Sequence, residues 1–256
     1  MKFSISRAVS AIALFAAICS HASETDKANI SRVYVDTVAP SEQLAYENAA
    51  LSYNRCLSEH GFRYSWTAWA HETGPTNQYT WVTGPYTWET FDAFGEADAP
   101  CEDVWRKLAG PRLQLEASVF LIEMPELSHV AQSTDEKPAL LNVLAFTLKS
   151  GAEANDAFVA VQAKIAAAAE KSRWPHYFRF SRVRGGGKDS PDYIVTARYK
   201  NWADYGAGPP ALWKMVEGVY GKAEAAAMRK TMDDAILVTS AHVESYNAKL
   251  SYIPSK

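Results

Sequence analysis

No Gly-x-Ser-x-Gly, His-Glu-x-x-His or dinucleotide-binding glycine pattern occurs in the 256 residues, so the familiar serine-hydrolase, zinc-protease and nicotinamide sites are absent as motifs. Cysteine is scarce. The chain has three, none in the Cys-x-x-Cys spacing of a redox or zinc centre. A basic tract is also missing. Nucleic-acid binding needs clustered Lys and Arg to neutralise phosphates, and here 26 basic residues face 29 acidic ones, so nucleic acid is not an expected partner. Beyond the N-terminus no segment is long and apolar enough to span a bilayer, so stable membrane insertion is not expected.

The N-terminus reads as an export signal. Lys2 and Arg7 give a short basic region, residues 8–19 an apolar run, and Ser20-His21-Ala22 the small residues that a signal peptidase reads. Cleavage after Ala22 predicts a periplasmic or secreted protein. Removing Lys2 and Arg7 leaves 24 basic residues against 29 acidic, a mildly acidic mature chain. Cys19 leaves with the signal. Cys56 and Cys101 remain, and an even count in an oxidising compartment favours a Cys56–Cys101 disulfide; the alternative is two small buried thiols.

What the chain does contain is an internal echo. Residues 61–91 and 175–205 align without a gap, setting Tyr64 against Phe178, Trp66 against Phe180, Tyr79 against Tyr193, Trp88 against Trp202 and Phe91 against Tyr205. Periodicity gives each copy the order β-α-β-β-α-β. In the first, Tyr46, Ala50, Tyr53 and Leu57 form a helical stripe that Ser41 is placed to cap, and a hairpin turns at residues 74–77. In the second, Ala154, Phe158, Val161, Ile165 and Ala168 form the stripe, and the glycines at 185–187 make the hairpin turn. Gly185-Gly186-Gly187-Lys188 is not a phosphate loop, because it joins two strands and does not lead into a helix. The expected divisions are a signal peptide at 1–22, a first repeat at 30–127, a polar linker at 128–139 and a second repeat at 140–250.

Two such units predict an α+β protein: two tandem ferredoxin-like β-α-β-β-α-β repeats packed sheet to sheet. That arrangement, with Trp88 and Trp202 at equivalent places, resembles the dimeric α+β barrel superfamily in fused form, so that a single chain is a pseudo-dimer and acts as a monomer or a homodimer. The superfamily includes small cofactor-independent monooxygenases and haem enzymes of the chlorite-dismutase type. The resemblance implies a cleft between the two sheets as the place for a small ligand.

Strand alternation nominates the lining. Phe62, Tyr64 and Trp66 share one side, expected under the helices, whereas Arg63, Trp69 and His71 share the other, as does Arg179 in the second copy. His242 lies on the last strand. Arg63 and Arg179 would supply charge to an anionic group, Trp69 a stacking surface, and His71 and His242 hydrogen bonds or proton transfer. The competing reading pairs the two arginines with Asp36 or Glu244. His60 is expected at an exposed helix end, His129 in the linker, and His176 is the histidine to watch as a haem ligand. The expected function is an exported small-molecule-binding or scaffold protein with a small anionic or aromatic ligand. The alternative is a monooxygenase-like or haem enzyme. Neither a cofactor nor a metal is assigned from motifs.

Overall fold

The structure, a computed structural model, describes residues 28–131 and 138–254. The expected signal at 1–22 and residues 132–137 of the expected linker lie outside the described residues. The first half runs β1 (Ile30–Val38), α1 (Gln43–Glu59), β2 (Trp66–His71), β3 (Gln78–Tyr86), α2 (Trp88–Asp98), α3 (Glu102–Leu108) and β4 (Leu113–Glu123). The second runs β5 (Leu140–Leu148), α4 (Ala152–Ser172), β6 (Phe178–Arg184), β7 (Tyr193–Tyr199), α5 (Trp202–Ala207), α6 (Leu212–Tyr220), α7 (Lys222–Ala235) and β8 (Ile236–Tyr252).

Local chemistry explains the boundaries. The stripe on α1 is real: Tyr46, Ala50 and Leu57 are buried and Tyr53 half-buried. Ser41 does not cap this helix. Residues Pro40–Glu42 form a single 3-10 turn, and Glu42 takes the cap position without a side-chain bond. The helix stops at Gly61, whose φ of +70° suits a residue without Cβ. Thr87 caps α2 by accepting from the Thr90 amide. Both hairpin turns fall where glycine and polar residues predict them, between β2 and β3 and between β6 and β7.

The eight strands form one closed antiparallel barrel in the order β1-β3-β2-β8-β5-β7-β6-β4. Within it the first half reads β4-β1-β3-β2 and the second β8-β5-β7-β6, the same relative order. The two sheets do not stack face to face as expected. They join edge to edge, β2 to β8 and β4 to β6. The physical reason is the open edges: a four-stranded antiparallel sheet leaves two rows of unpaired backbone groups, and closure gives them partners. The 17-residue β8 is long enough to pair with β5 along its first part and with β2 along its second.

The helices pack outside the barrel, and each half has its own core there. Tyr46, Leu57, Phe62, Trp66, Tyr79 and Trp81 belong to the first, and Phe158, Ile165, Phe180, Tyr193 and Met228 to the second. Phe158 and Phe180 are fully buried, each worth about 2–3 kcal/mol in apolar area removed from water. Trp66 and Ala68 on β2 therefore face the helices, and by alternation Trp69 and His71 face the barrel interior. No helix among the described residues is long and apolar enough to cross a membrane.

Candidate functional site

The sequence placed the ligand between the sheets; the structure opens an aromatic-walled hollow elsewhere. A cavity of about 260 Å³ lies between the helices of the first half and the outer face of the barrel. Trp66, Trp81, Trp105, Tyr34, Tyr53 and Phe94 give it aromatic walls. Asp36, Asn54, Asp98, Glu102 and Glu116 add polar atoms, and no Lys or Arg is among its lining. A volume of that size suits one or two fused rings rather than a large cofactor. The Cys56–Cys101 disulfide ties α1 to the turn that leads into α3, with 5.8 Å between the Cα atoms. It holds together the helices that wall the cavity, and it is compatible with an oxidising, non-cytoplasmic location.

Asp36 sits at the base of this cavity and is 1% exposed. Its Oδ2 accepts a very short hydrogen bond from the Tyr46 hydroxyl, and the Trp81 Nε1–H donates to the same hydroxyl oxygen at 3.0 Å. Burial pushes the Asp36 carboxyl up to about 7; the Tyr46 bond opposes this, and the Glu116 carboxylate reinforces it. Glu116 stands directly opposite Asp36 in the β1/β4 register and is exposed, so the two carboxylates share a face in different environments. That arrangement keeps one proton available near neutral pH. Asp98 is raised too, chiefly by burial, while it accepts from the Tyr53 hydroxyl at 3.3 Å.

Three cavity-lining residues each keep a buried polar atom without a partner: Asp36 Oδ1, Asn54 Oδ1 and Trp66 Nε1. Unpaired buried polar atoms are costly, and they are rare where nothing else binds. Sequence reasoning missed this site. The available signal was Asp36 itself, an acidic residue on the same strand face as Tyr34 and Val38.

The five residues nominated from the sequence do not converge. Arg63 precedes β2 in an irregular segment, is exposed, and lies over the Tyr64 ring with its guanidinium 5.3 Å from the centroid. Arg179 is exposed and grips Glu123 with bonds of 2.6 and 2.8 Å. It borders a recess of only about 30 Å³, room for little more than a water. Neither arginine pairs with Asp36 or Glu244 in the bonds described. Trp69 is buried against Tyr246, their ring centroids 5.3 Å apart, and its indole N–H donates to Thr67. Only His71 and His242 meet, their rings stacked at 4.4 Å.

Those two histidines flank a buried carboxylate. Glu244 Oε1 lies 3.1 Å from His71 Nε2, 2.9 Å from His242 Nε2 and 2.7 Å from the Thr80 hydroxyl that donates to it. Burial alone would raise Glu244, but bonds from His242, His71 and Thr80 outweigh it and bring the carboxyl down to about 2. His129, expected in the linker, lies between β4 and β5 and is held by its contacts. It is buried: it bridges to Phe178, its ring stacks on Tyr177, and its Nε2 meets the Trp174 carbonyl at 2.8 Å. His176 packs against Trp174 and Tyr199, and burial pushes its imidazole down.

Comparison of the sequence with known protein families finds no match, and none is found among curated proteins. Solved structures do match the fold. A proposed monooxygenase from Lactobacillus acidophilus NCFM superposes with a TM-score of 0.53 at 10% identity, over 88% of this chain and 95% of that one. An anthrone oxidase-like protein gives 0.53 at 10% identity over 87% and 93%. A mutant chlorite dismutase from Candidatus Nitrospira defluvii gives 0.53 at 8% identity, again over 87% and 93%. At these identities the likeness establishes the fold, that of dimeric α+β barrel proteins, and nothing finer. A haem, one of the cofactors that the superfamily resemblance implied, does not suit this cavity. Its lining offers no His, Cys or Met as an axial ligand, and burial and Asp98 drive the Tyr53 hydroxyl further from its ionised form.

Proposed function

We propose that this chain is an exported small-molecule-binding protein that holds a flat, hydroxyl-bearing aromatic compound of one or two rings against Trp66, Trp81 and Trp105, with Asp36 exchanging the hydroxyl proton. The proposal replaces the inter-sheet cleft as the ligand site. The observation that carries it is the coincidence, in one aromatic cavity, of a carboxyl poised near neutrality and three unpartnered buried polar atoms. Four carboxylates and no Lys or Arg in the lining disfavour an anion. The expected anionic ligand is therefore set aside in favour of the aromatic one. Export rests on the N-terminal segment and on the disulfide.

We also read the barrel as a fused duplication of a ferredoxin-like unit, supported by the identical strand order of its halves. Asp36 near neutrality favours a second, chemical reading. As general base Asp36 takes the proton of a phenolic O–H as that bond breaks, and the dihydroxyaromatic anion so formed gives two electrons to dioxygen from solution, leaving a quinone and hydrogen peroxide; oxidation is the class of chemistry named for the monooxygenase and anthrone oxidase-like proteins of this fold.

The test uses tryptophan fluorescence of the whole secreted protein with two probes, 2-naphthol and the 2-naphthoate anion. Saturable quenching by naphthol, at least tenfold weaker with naphthoate and weakened in Trp105→Ala, is the expected result. Equal binding of both probes, or none, overturns the site. Oxygen uptake with a dihydroxynaphthalene, lost in Asp36→Asn, would establish the chemical reading; uptake unchanged in that variant would remove Asp36 from it.

A further inference from the structure

A second constellation lies apart from the cavity, inside the barrel at one of the two seams where the halves join. His71 ends β2, Thr80 lies on β3, and His242 and Glu244 lie two apart on β8, so both face the same side. The β2/β8 register sets His71 directly opposite Glu244. Four polar atoms result, from three strands: His71 Nε2, His242 Nε2, Glu244 Oε1 and Thr80 Oγ1. His71 Nε2 is 2.9 Å from Thr80 Oγ1, and the ligand atoms of the two histidines and the glutamate all lie within 4.8 Å of one another.

We propose that His71, His242 and Glu244 form a binding site for a divalent transition-metal ion of the zinc class, with Thr80 or a water at the fourth position. The donor set is two imidazoles and one carboxylate, which zinc, cobalt and nickel accept and which magnesium and calcium do not favour. The spacing agrees. Ligands at 2.0–2.1 Å from a tetrahedral ion are separated by roughly 3.3 Å, and the histidine–glutamate distances of 2.9 and 3.1 Å need to open by only a few tenths of an ångström. The Glu244 carboxylate supplies the negative charge of this donor set, which suits a dication. His71 and Glu244 side chains are 4% and 3% exposed, while His242 is 24% exposed and leaves an entry side. The other such grouping among the described residues, Cys56, His60 and Cys101, has both sulfurs in the disulfide and no thiolate to offer.

An ion here would clip β2 of the first half to β8 of the second. Binding to the folded state alone then stabilises the seam in proportion to the logarithm of the free metal concentration.

The experiment uses the full mature chain, free of histidine tags, stripped with a chelator and titrated at pH 7.5. The expected result is one Zn²⁺ per chain by calorimetry, a raised melting temperature, no response to Mg²⁺, and intense visible Co²⁺ bands of tetrahedral type. His242→Ala, at the most exposed of the three ligands and so least disruptive of folding, should lower zinc affinity by about 100-fold or more. Glu244→Gln should do likewise, and His60→Ala should leave affinity unchanged. Absence of stoichiometric binding, zinc affinity unaltered in His242→Ala, or weak octahedral Co²⁺ bands each overturns the proposal.

Discussion

Tyr46 donates its hydroxyl hydrogen to Asp36 Oδ2, holding one side of a carboxylate whose other oxygen has no partner. The pair joins α1 to β1 at the base of the aromatic cavity, ten residues apart in sequence. Through Trp81 the same hydroxyl is tied to β3, so helix and sheet meet at one phenol oxygen.

Asp36 makes the fold sensitive to pH in a defined direction. Its carboxyl titrates near 7 when folded and near 4 when unfolded, so folding takes up a proton between those values. Stability contributed by the neutral acid is complete below about pH 4 and is lost as pH rises through 7, by an amount on the order of 4 kcal/mol at most. Asp36→Asn should flatten the stability–pH curve over that window. Urea denaturation of both proteins at pH 4.5, 6 and 8 measures it, and parallel curves would contradict the assignment.

Tyr46→Phe keeps the ring and removes the hydroxyl. Trp81 Nε1 and Asp36 Oδ2 then lose their partner in the core, a destabilisation of about 1–3 kcal/mol. Because the Tyr46 bond holds the Asp36 carboxyl down, its loss should move that titration to higher pH. NMR titration of the Asp36 carboxyl carbon reads the shift, and a downward movement would count against the geometry.

Replacing Cys56 and Cys101 together by serine should cost about 4 kcal/mol, the loop-closure entropy expected for a link spanning 45 residues. The loss should concentrate in the first half, because the second half has its own core around Phe158 and Met228. Hydrogen exchange should therefore quicken in α1 and α3 before α4. Uniform acceleration in both halves would show the cores to be coupled.

Arg179→Ala should have little effect. Its pair with Glu123 is partly exposed, and such pairs contribute roughly 0–1 kcal/mol. Binding of 2-naphthol should not change, since Arg179 does not line the aromatic cavity. A tenfold loss of naphthol affinity would return the ligand to the barrel interior.

Local order was legible in the chain. The stripe from Tyr46 to Leu57, the hairpin glycines and the cysteine pair each depend on short-range spacing or simple parity, and the structure has all of them. The cap at Ser41 failed because a 3-10 turn over Pro40–Glu42 moved the helix start by one residue, to Gln43. Arg63 was misplaced because β2 begins at Trp66, three residues later than the alternation required.

Strand alternation by itself determined that Trp66 and Trp69 part company, one to each face of β2, and that aromatic residues would fill the space under the helices. Only the tertiary structure decided what each face meets. Edge-to-edge closure turned the supposed cleft into a barrel interior, because paired strand edges leave no backbone groups unsatisfied at the seams. It also brought Thr80 within 2.7 Å of Glu244, 164 residues away, and packed the first-half helices over Asp36. Contacts across such separations depend on how sheets close and helices dock, and short-range periodicity carries no record of either.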